Sequence, residues 1–153
     1  MKRIVFVWVV FSVMSQFIVA QNAWFTNAAE AKSYAADKKV PVLLVFAGSD
    51  WCKPCMMLKA EILHSTDFEA YFPSRMALLY LDFPMQAKNK LAPELKKQNE
   101  LLAEKYNRNG SFPNLVLIDI NGKELGQLKY THQTPAVFIQ QCNELLSKVA
   151  VNQ

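Results

Sequence analysis

The chain has 153 residues, of which 52% are hydrophobic and 20% charged, and its formal charge is +4. The basic residues are scattered rather than clustered, which excludes the footprint of a nucleic-acid-binding protein and leaves no nucleic-acid partner to expect. There is no repeat, low-complexity tract or Gly/Ser-rich linker, so a string of domains is excluded as well.

Lys2 and Arg3 precede an apolar run over residues 4–11, and Ser15 and Gln16 then interrupt it. The run is too short and too early for a typical spanning helix and reads as a secretory signal peptide over residues 1–20. Cleavage is expected after Ala20, with a cut after Ala23 as the alternative; left uncut, residues 4–20 would serve as a membrane anchor. No cysteine follows the leader, which argues against lipid attachment at a new N-terminus. The expected location is therefore exported, in the periplasm, with residues 21–153 forming one domain of ordinary size.

Asn27, followed three residues later by Glu30, is a helix start of the capping-box kind, with Ala31, Tyr34 and Ala35 as a small apolar face up to residue 39. Residues 41–47 are an unbroken apolar run, the pattern of a central strand buried on both faces. Gly48-Ser49-Asp50 turns this strand into a helix whose core stripe is Leu58, Ile62 and Leu63. Thr66 with Glu69 predicts a second capped turn through Tyr71, stopped by Pro73. Residues 76–83 predict a strand parallel to and beside the first, reached by a right-handed crossover. After Pro84 a polar loop leads to Pro93, a first-turn proline, and to Leu95, Leu102 and Tyr106 on one helical face, closing at Asn109-Gly110. Residues 114–120 and 124–128 predict a hairpin joined through Asn121-Gly122. Thr134 and Pro135 open a last helix with Phe138, Cys142, Leu145 and Val149 on one face.

The chemistry is concentrated in Trp51-Cys52-Lys53-Pro54-Cys55, where strand hands over to helix. Two cysteines three positions apart at a helix start lie on one side and within bonding reach. Cys52 meets the unpaired N–H groups and partial positive charge of the helix N-terminus, which favour thiolate; in such motifs the pKa falls to ~3.5–7.5. Cys52 is thus the attacking sulfur and Cys55 the resolving one. Pro54 suits the first turn, where a missing N–H costs little, and Lys53 adds positive charge beside the thiolate. A zinc site would need two further ligands, and Cys142, His64 and His132 are not paired at metal-ligand spacing, so no metal is expected. Cys142, on an apolar stripe, is expected to be a buried inert thiol, although a third thiol outside the cell could also pair between chains. His64 is expected at a helix end and His132 in a loop, neither with a catalytic part, and Trp24 has no assigned role.

The order of strand, Trp-Cys-x-Pro-Cys at a helix start, strand, helix, proline, hairpin and closing helix resembles the thioredoxin superfamily over residues 27–150. The resemblance implies an α/β thioredoxin-like fold, a central mixed β-sheet flanked by helices in a three-layer sandwich. It places Ser111-Phe112-Pro113 where such proteins keep a cis-proline facing the dithiol, so that Phe112 and Pro113 would frame a substrate segment; a trans-proline at the strand entrance is the alternative. Residues 46–55, with Leu58 and Glu61, look most like exported thioredoxin-like proteins, including the terminal domain of the membrane-bound disulfide-interchange reductase. Where cytosolic thioredoxin carries a buried aspartate this chain has Phe46, so Glu61 is the substitute proton acceptor for the resolving thiol, or else an exposed helix glutamate. Phe112 is larger than is usual before the cis-proline and would narrow the substrate groove, whereas Trp51 matches the family and shields the dithiol. The implied function is exported thiol–disulfide oxidoreduction without metal or organic cofactor, acting on protein thiols and disulfides. Cys-Lys-Pro-Cys favours the reducing direction, with electrons from a membrane-bound reductase. A disulfide oxidase or isomerase on the same site and a soft-metal, copper-handling module are the alternatives.

Overall fold

The computed structural model describes residues 23–151; the expected leader, its cleavage site and the anchor over residues 4–20 lie outside the described residues. Five strands form one sheet: β1 (Trp24–Phe25), β2 (Val42–Ala47), β3 (Ala77–Asp82), β4 (Asn114–Ile118) and β5 (Glu124–Leu128), in the spatial order β1-β3-β2-β4-β5. Strand β2 runs parallel to β3 and antiparallel to β4, with Leu44 opposite Leu79 on one side and Val116 on the other. The sheet is thus mixed, as expected, and β2, the strand that delivers the chain to the cysteines, is its central member.

Alternation along the strands sends the apolar residues to two cores. Val42, Leu44 and Phe46 of β2, with Ala77, Leu79 and Leu81 of β3, meet Ala31 and Ala35 of α1 (Ala28–Lys38) and Tyr106 of α4 (Pro93–Tyr106). Leu43 and Val45, with Leu78, Leu115 and Leu117, face the other way. There they meet Leu58, Ile62 and Leu63 beyond α2 (Lys53–Met57), Phe68 of α3 (Thr66–Tyr71), and Phe138 and Cys142 of α5 (Pro135–Val151). Helices on both faces of one sheet make three layers, and the unbroken apolar run of β2 is the consequence of being covered twice. Each buried Val, Leu, Ile or Phe side chain stabilises the fold by roughly 1.5–3 kcal/mol, which outweighs the weak helix preferences of these segments.

The helix starts follow from local chemistry. Asn27 Oδ1 accepts the N–H groups of Ala29 and Glu30 at 2.8 and 3.2 Å, satisfying two of the donors a helix start leaves unpaired. The cap of α3 is Ser65, not Thr66: its hydroxyl accepts from Phe68 N–H at 3.2 Å, and Thr66 is already the first helical residue. Helix α2 does not continue as one α-helix; residues Leu58–Leu63 widen into a π-helical turn, closed by His64 N–H on Lys59 O at 3.0 Å, and this keeps Leu58, Ile62 and Leu63 all buried.

The β4–β5 connection departs from a two-residue Asn-Gly hairpin. Strand β4 ends at Ile118, and Asp119 O accepts from Gly122 N–H at 3.0 Å to close a four-residue turn. Asp119 Oδ1 holds the Asn121 and Lys123 N–H groups at 2.8 Å each. Only Gly122 in the turn adopts positive φ, +80°, where a two-residue type I′ turn would need it at both central residues. Strand β1, two residues long and parallel to β3, has no counterpart in the sequence reading; a stretch that short carries no period. In α5 the expected face holds at Phe138 and Cys142, with Leu145 packed against the same core; the side chain of Val149 lies outside the described residues.

Candidate active site

The chain leaves β2 at Ala47 and closes a tight loop in which Cys52 N–H donates to Gly48 O at 3.0 Å. Cys52 is the N-cap of α2, in extended backbone geometry, and its Sγ accepts the Cys55 N–H at 3.2 Å. A sulfur so placed sits among the unpaired donors of the helix start, the condition that stabilises a thiolate. Cys52 and Cys55 are joined by a disulfide, with S–S 2.09 Å and Cα–Cα 5.2 Å. Both are buried, Cys55 more deeply at 1% exposure against 5% for Cys52. Pro54 stands in the first turn, where its missing N–H is no loss, and Lys53 is exposed beside Cys52.

Trp51 covers this loop. Its indole Nε1 donates to Phe83 O at 2.7 Å, and its ring meets Phe112 edge-on at 5.2 Å; Phe112 in turn meets Phe83 at 5.4 Å. Gly48 lies beneath the indole so closely that a Cβ there would collide with it. The Phe112-Pro113 peptide is cis, as the resemblance implies, and Phe112 is half-buried. Structure therefore brings Trp51, Cys52 and Phe112 to one face. At the position of the missing aspartate, Phe46 is fully buried and packs toward Phe83 at 6.4 Å.

Glu61 lies exposed on the π-turn, where its carboxylate accepts the Tyr130 hydroxyl at 2.8 Å. The Tyr130 pKa is pushed up to about 12, by burial first and by the Glu61 carboxylate next. His132 packs its ring on Tyr130 at 4.9 Å in the loop before α5. His64 ends the π-turn, stacks on Trp24 at 5.0 Å and contacts Glu69 at 3.0 Å. Trp24 also stacks on Tyr80 at 5.5 Å, so it is a packing residue of the β1 edge. Cys142 is buried and unbridged, and burial pushes its thiol up to about 12.

A set of polar residues beside the cysteines escaped the sequence reading. Asp82, at the end of β3, accepts from the Ser49 N–H at 2.9 Å and the Ser49 hydroxyl at 2.6 Å. Asp50 accepts from the N–H groups of Met85 and Gln86 at 2.9 and 3.0 Å and from Asn89 Nδ2 at 2.9 Å. These donors hold its carboxyl below the usual range, the Met85 N–H most of all. The partners lie more than thirty positions away in sequence, so no local spacing could announce them.

A family model described as thioredoxin-like domain matches residues 28–145. The chain belongs to the thioredoxin-like family. It is 31% identical over 129 residues to the disulfide bond reductase DsbH of Chlamydia pneumoniae, covering 84% of this chain and 76% of that protein. A solved DsbH oxidoreductase superposes with a TM-score of 0.74 at 28% identity, over 80% of this chain and 83% of the other. The oxidised C-terminal domain of Neisseria meningitidis DsbD shares the fold, with a TM-score of 0.51 at 18% identity over 77% of this chain and 96% of the domain. Such kinship, with a disulfide at CxxC spacing, makes this thioredoxin-like protein a protein-disulfide oxidoreductase.

Proposed function

We propose that this protein is an exported disulfide reductase working through Cys52 and Cys55. The observation that carries the reading is the Cys52 sulfur at the mouth of α2, accepting the Cys55 N–H at 3.2 Å. In the reduced protein, the Cys52 thiolate attacks one sulfur of a substrate disulfide, forming a mixed disulfide and releasing the first substrate thiolate, which takes up a proton. Cys55 then loses its proton and attacks Cys52 Sγ; the second substrate thiol leaves, and the Cys52–Cys55 disulfide of the present structure is formed. Two electrons have passed to the substrate, and a dithiol donor must return them. In an exported compartment without a free reducing pool, the donor is a membrane-bound reductase.

Trp51 and Pro54 keep the loop and helix start in place, Lys53 contributes charge, and Phe112 and Pro113 frame the substrate. Glu61 serves as proton acceptor for Cys55. The reaction needs no metal or organic cofactor, because both electrons move between sulfurs. Support for the reducing direction comes from the name of the relative, a disulfide bond reductase, and from the Lys53-Pro54 dipeptide between the cysteines. Export is supported by the charged and apolar pattern of residues 1–20.

The deciding experiment is the reduction potential of the Cys52–Cys55 pair in thiol redox buffers, followed by tryptophan fluorescence. A value near ~−270 mV is expected for a reductase; one near ~−120 mV would reverse the direction. The absence of any reversible transition would end the redox reading.

A further inference from the structure

The segment between β3 and α4 builds a groove beside the dithiol. Phe83, Pro84, Met85 and Leu91 line it against the first turns of α4, and it encloses about 290 Å³. Pockets for organic ligands span ~300–1,000 Å³. A space at that lower edge fits one or two side chains rather than a cofactor.

Its walls are fastened to the cysteine loop. Asp50, two residues before Cys52, grips the N–H groups of Met85 and Gln86 and the amide of Asn89, and Gln86 Nε2 donates back to Asp50 O at 3.1 Å. From the other side, the buried Asn99 of α4 donates to Asp82 O at 2.9 Å. The Met85–Asn89 wall is thus tied to the dithiol loop through Asp50, and the α4 wall to the end of β3 through Asn99, a pre-organised arrangement of the kind that lowers the ordering cost of binding.

The groove meets the catalytic face at Phe83. Its residue Phe83 packs on Phe112 and accepts the Trp51 indole N–H. Met85, 76% exposed, and Trp51, 43% exposed beside its edge-on contact with Phe112, present apolar surface here. Methionine is the side chain that adapts best to varied apolar partners. A protein disulfide must bring a sulfur into bonding reach of Cys52, which puts residues flanking the substrate cysteine within reach of this rim. That continuity decides the occupant.

We propose that the groove is a specificity subsite of the enzyme, taking an apolar side chain of the protein substrate close in sequence to the cysteine under attack. The proposal rests on the reading of Cys52 as the attacking sulfur. Asp50 is a positioning residue for this subsite: it holds the loop that forms the wall and has no part in the sulfur chemistry.

The test uses the reduced full domain and nonapeptides containing one central cysteine as its glutathione mixed disulfide, with leucine or serine at each of the four positions on either side. The rate of protein oxidation is read by stopped-flow tryptophan fluorescence. Leucine at one particular position is expected to raise the second-order rate about tenfold over serine, in line with burial of one aliphatic side chain. In the double variant Met85→Ser, Leu91→Ser, both substitutions at positions outside the buried core, that leucine-to-serine ratio is expected to fall to near one. No leucine preference at any position, or a preference that survives in the variant, overturns the subsite. A wild-type protein that stays reduced before every peptide, the serine series included, sinks the dithiol reading beneath it instead.

Discussion

Glu61 and Cys142 show how a side chain's partners decide its chemistry. The Glu61 carboxylate is held by the Tyr130 hydroxyl at 2.8 Å, so its position on the π-turn is set by a residue 69 places away. If Glu61 takes the proton of Cys55, Glu61→Gln slows resolution of the mixed disulfide, and Tyr130→Phe, which frees the carboxylate, slows it by a smaller factor. Rapid-quench trapping of the mixed disulfide measures both; resolution at the wild-type rate in Glu61→Gln removes the residue from the mechanism. Cys142 lies in the apolar core among Phe68 and Phe138. Burial pushes its thiol up to about 12, which leaves almost no thiolate at pH 8. In the reduced native protein, iodoacetamide is therefore expected to label Cys52 within minutes and to leave Cys142 unmodified until the protein is denatured. Equal labelling of the two by mass spectrometry would contradict that burial.

The working element is the turn from β2 into α2, and its shape depends on Gly48. Trp51 can lie across the loop and reach Phe83 O only because Gly48 has no Cβ beneath the indole. Gly48→Ala is expected to displace the indole and break that 2.7 Å hydrogen bond. The cost, about 0.5–1.5 kcal/mol for a typical intramolecular bond, leaves the fold intact. The readout is a red-shifted tryptophan emission with at least a severalfold loss of turnover on a protein disulfide, at little change in thermal midpoint. Unchanged emission and turnover would show that the indole contact is dispensable. The helix that follows is similarly local in origin but tertiary in detail. Its apolar stripe predicts a helix, yet the widening into a π-turn is set by the need to bury Leu58, Ile62 and Leu63 together against α5 and the sheet.

At the scale of the whole molecule, the buried Cys142 and Tyr80 and the half-buried Tyr71 set a limit on alkaline stability. Cys142 rises from 9.0, and Tyr71 and Tyr80 from 10.0, each to about 12, with burial the leading cause in all three. The folded state keeps these protons at a pH where the unfolded chain has released them, so stability declines as pH rises. Their stabilising effect is complete below about pH 9 and is lost progressively toward pH 12. Urea midpoints are expected to hold between pH 7 and 8.5 and to fall steadily above pH 9, with a shallower fall in Cys142→Ala. A midpoint that is flat to pH 11 would refute the assignment. The same core explains why the layer order could be anticipated. Strands covered on both faces read as unbroken apolar runs, and β2 and β3 do so.

The local chemistry of the chain by itself determined the dithiol, the caps at Asn27 and Thr134, the central strand pair and the amphipathic face of α5, because each depends on residues within a few positions of one another. Of the face expected on α4, Tyr106 is buried and Leu102 packs on the core, whereas Leu95 stays only partly buried and the polar Asn99 is buried instead. It misplaced the α3 cap by one residue and the β4–β5 turn by its type, since neighbouring Ser65 and Asp119 supply competing oxygen acceptors. Tertiary structure alone decided the rest. The Asp50 and Asp82 clamps, the Tyr130 hold on Glu61, the stack of Trp24 on His64 and Tyr80, and the groove beside Phe83 all join segments separated by tens of residues. Such contacts exist only once the folded chain has brought distant segments together, as the pairing of β2 with β3 does for the Asp50 and Asp82 clamps.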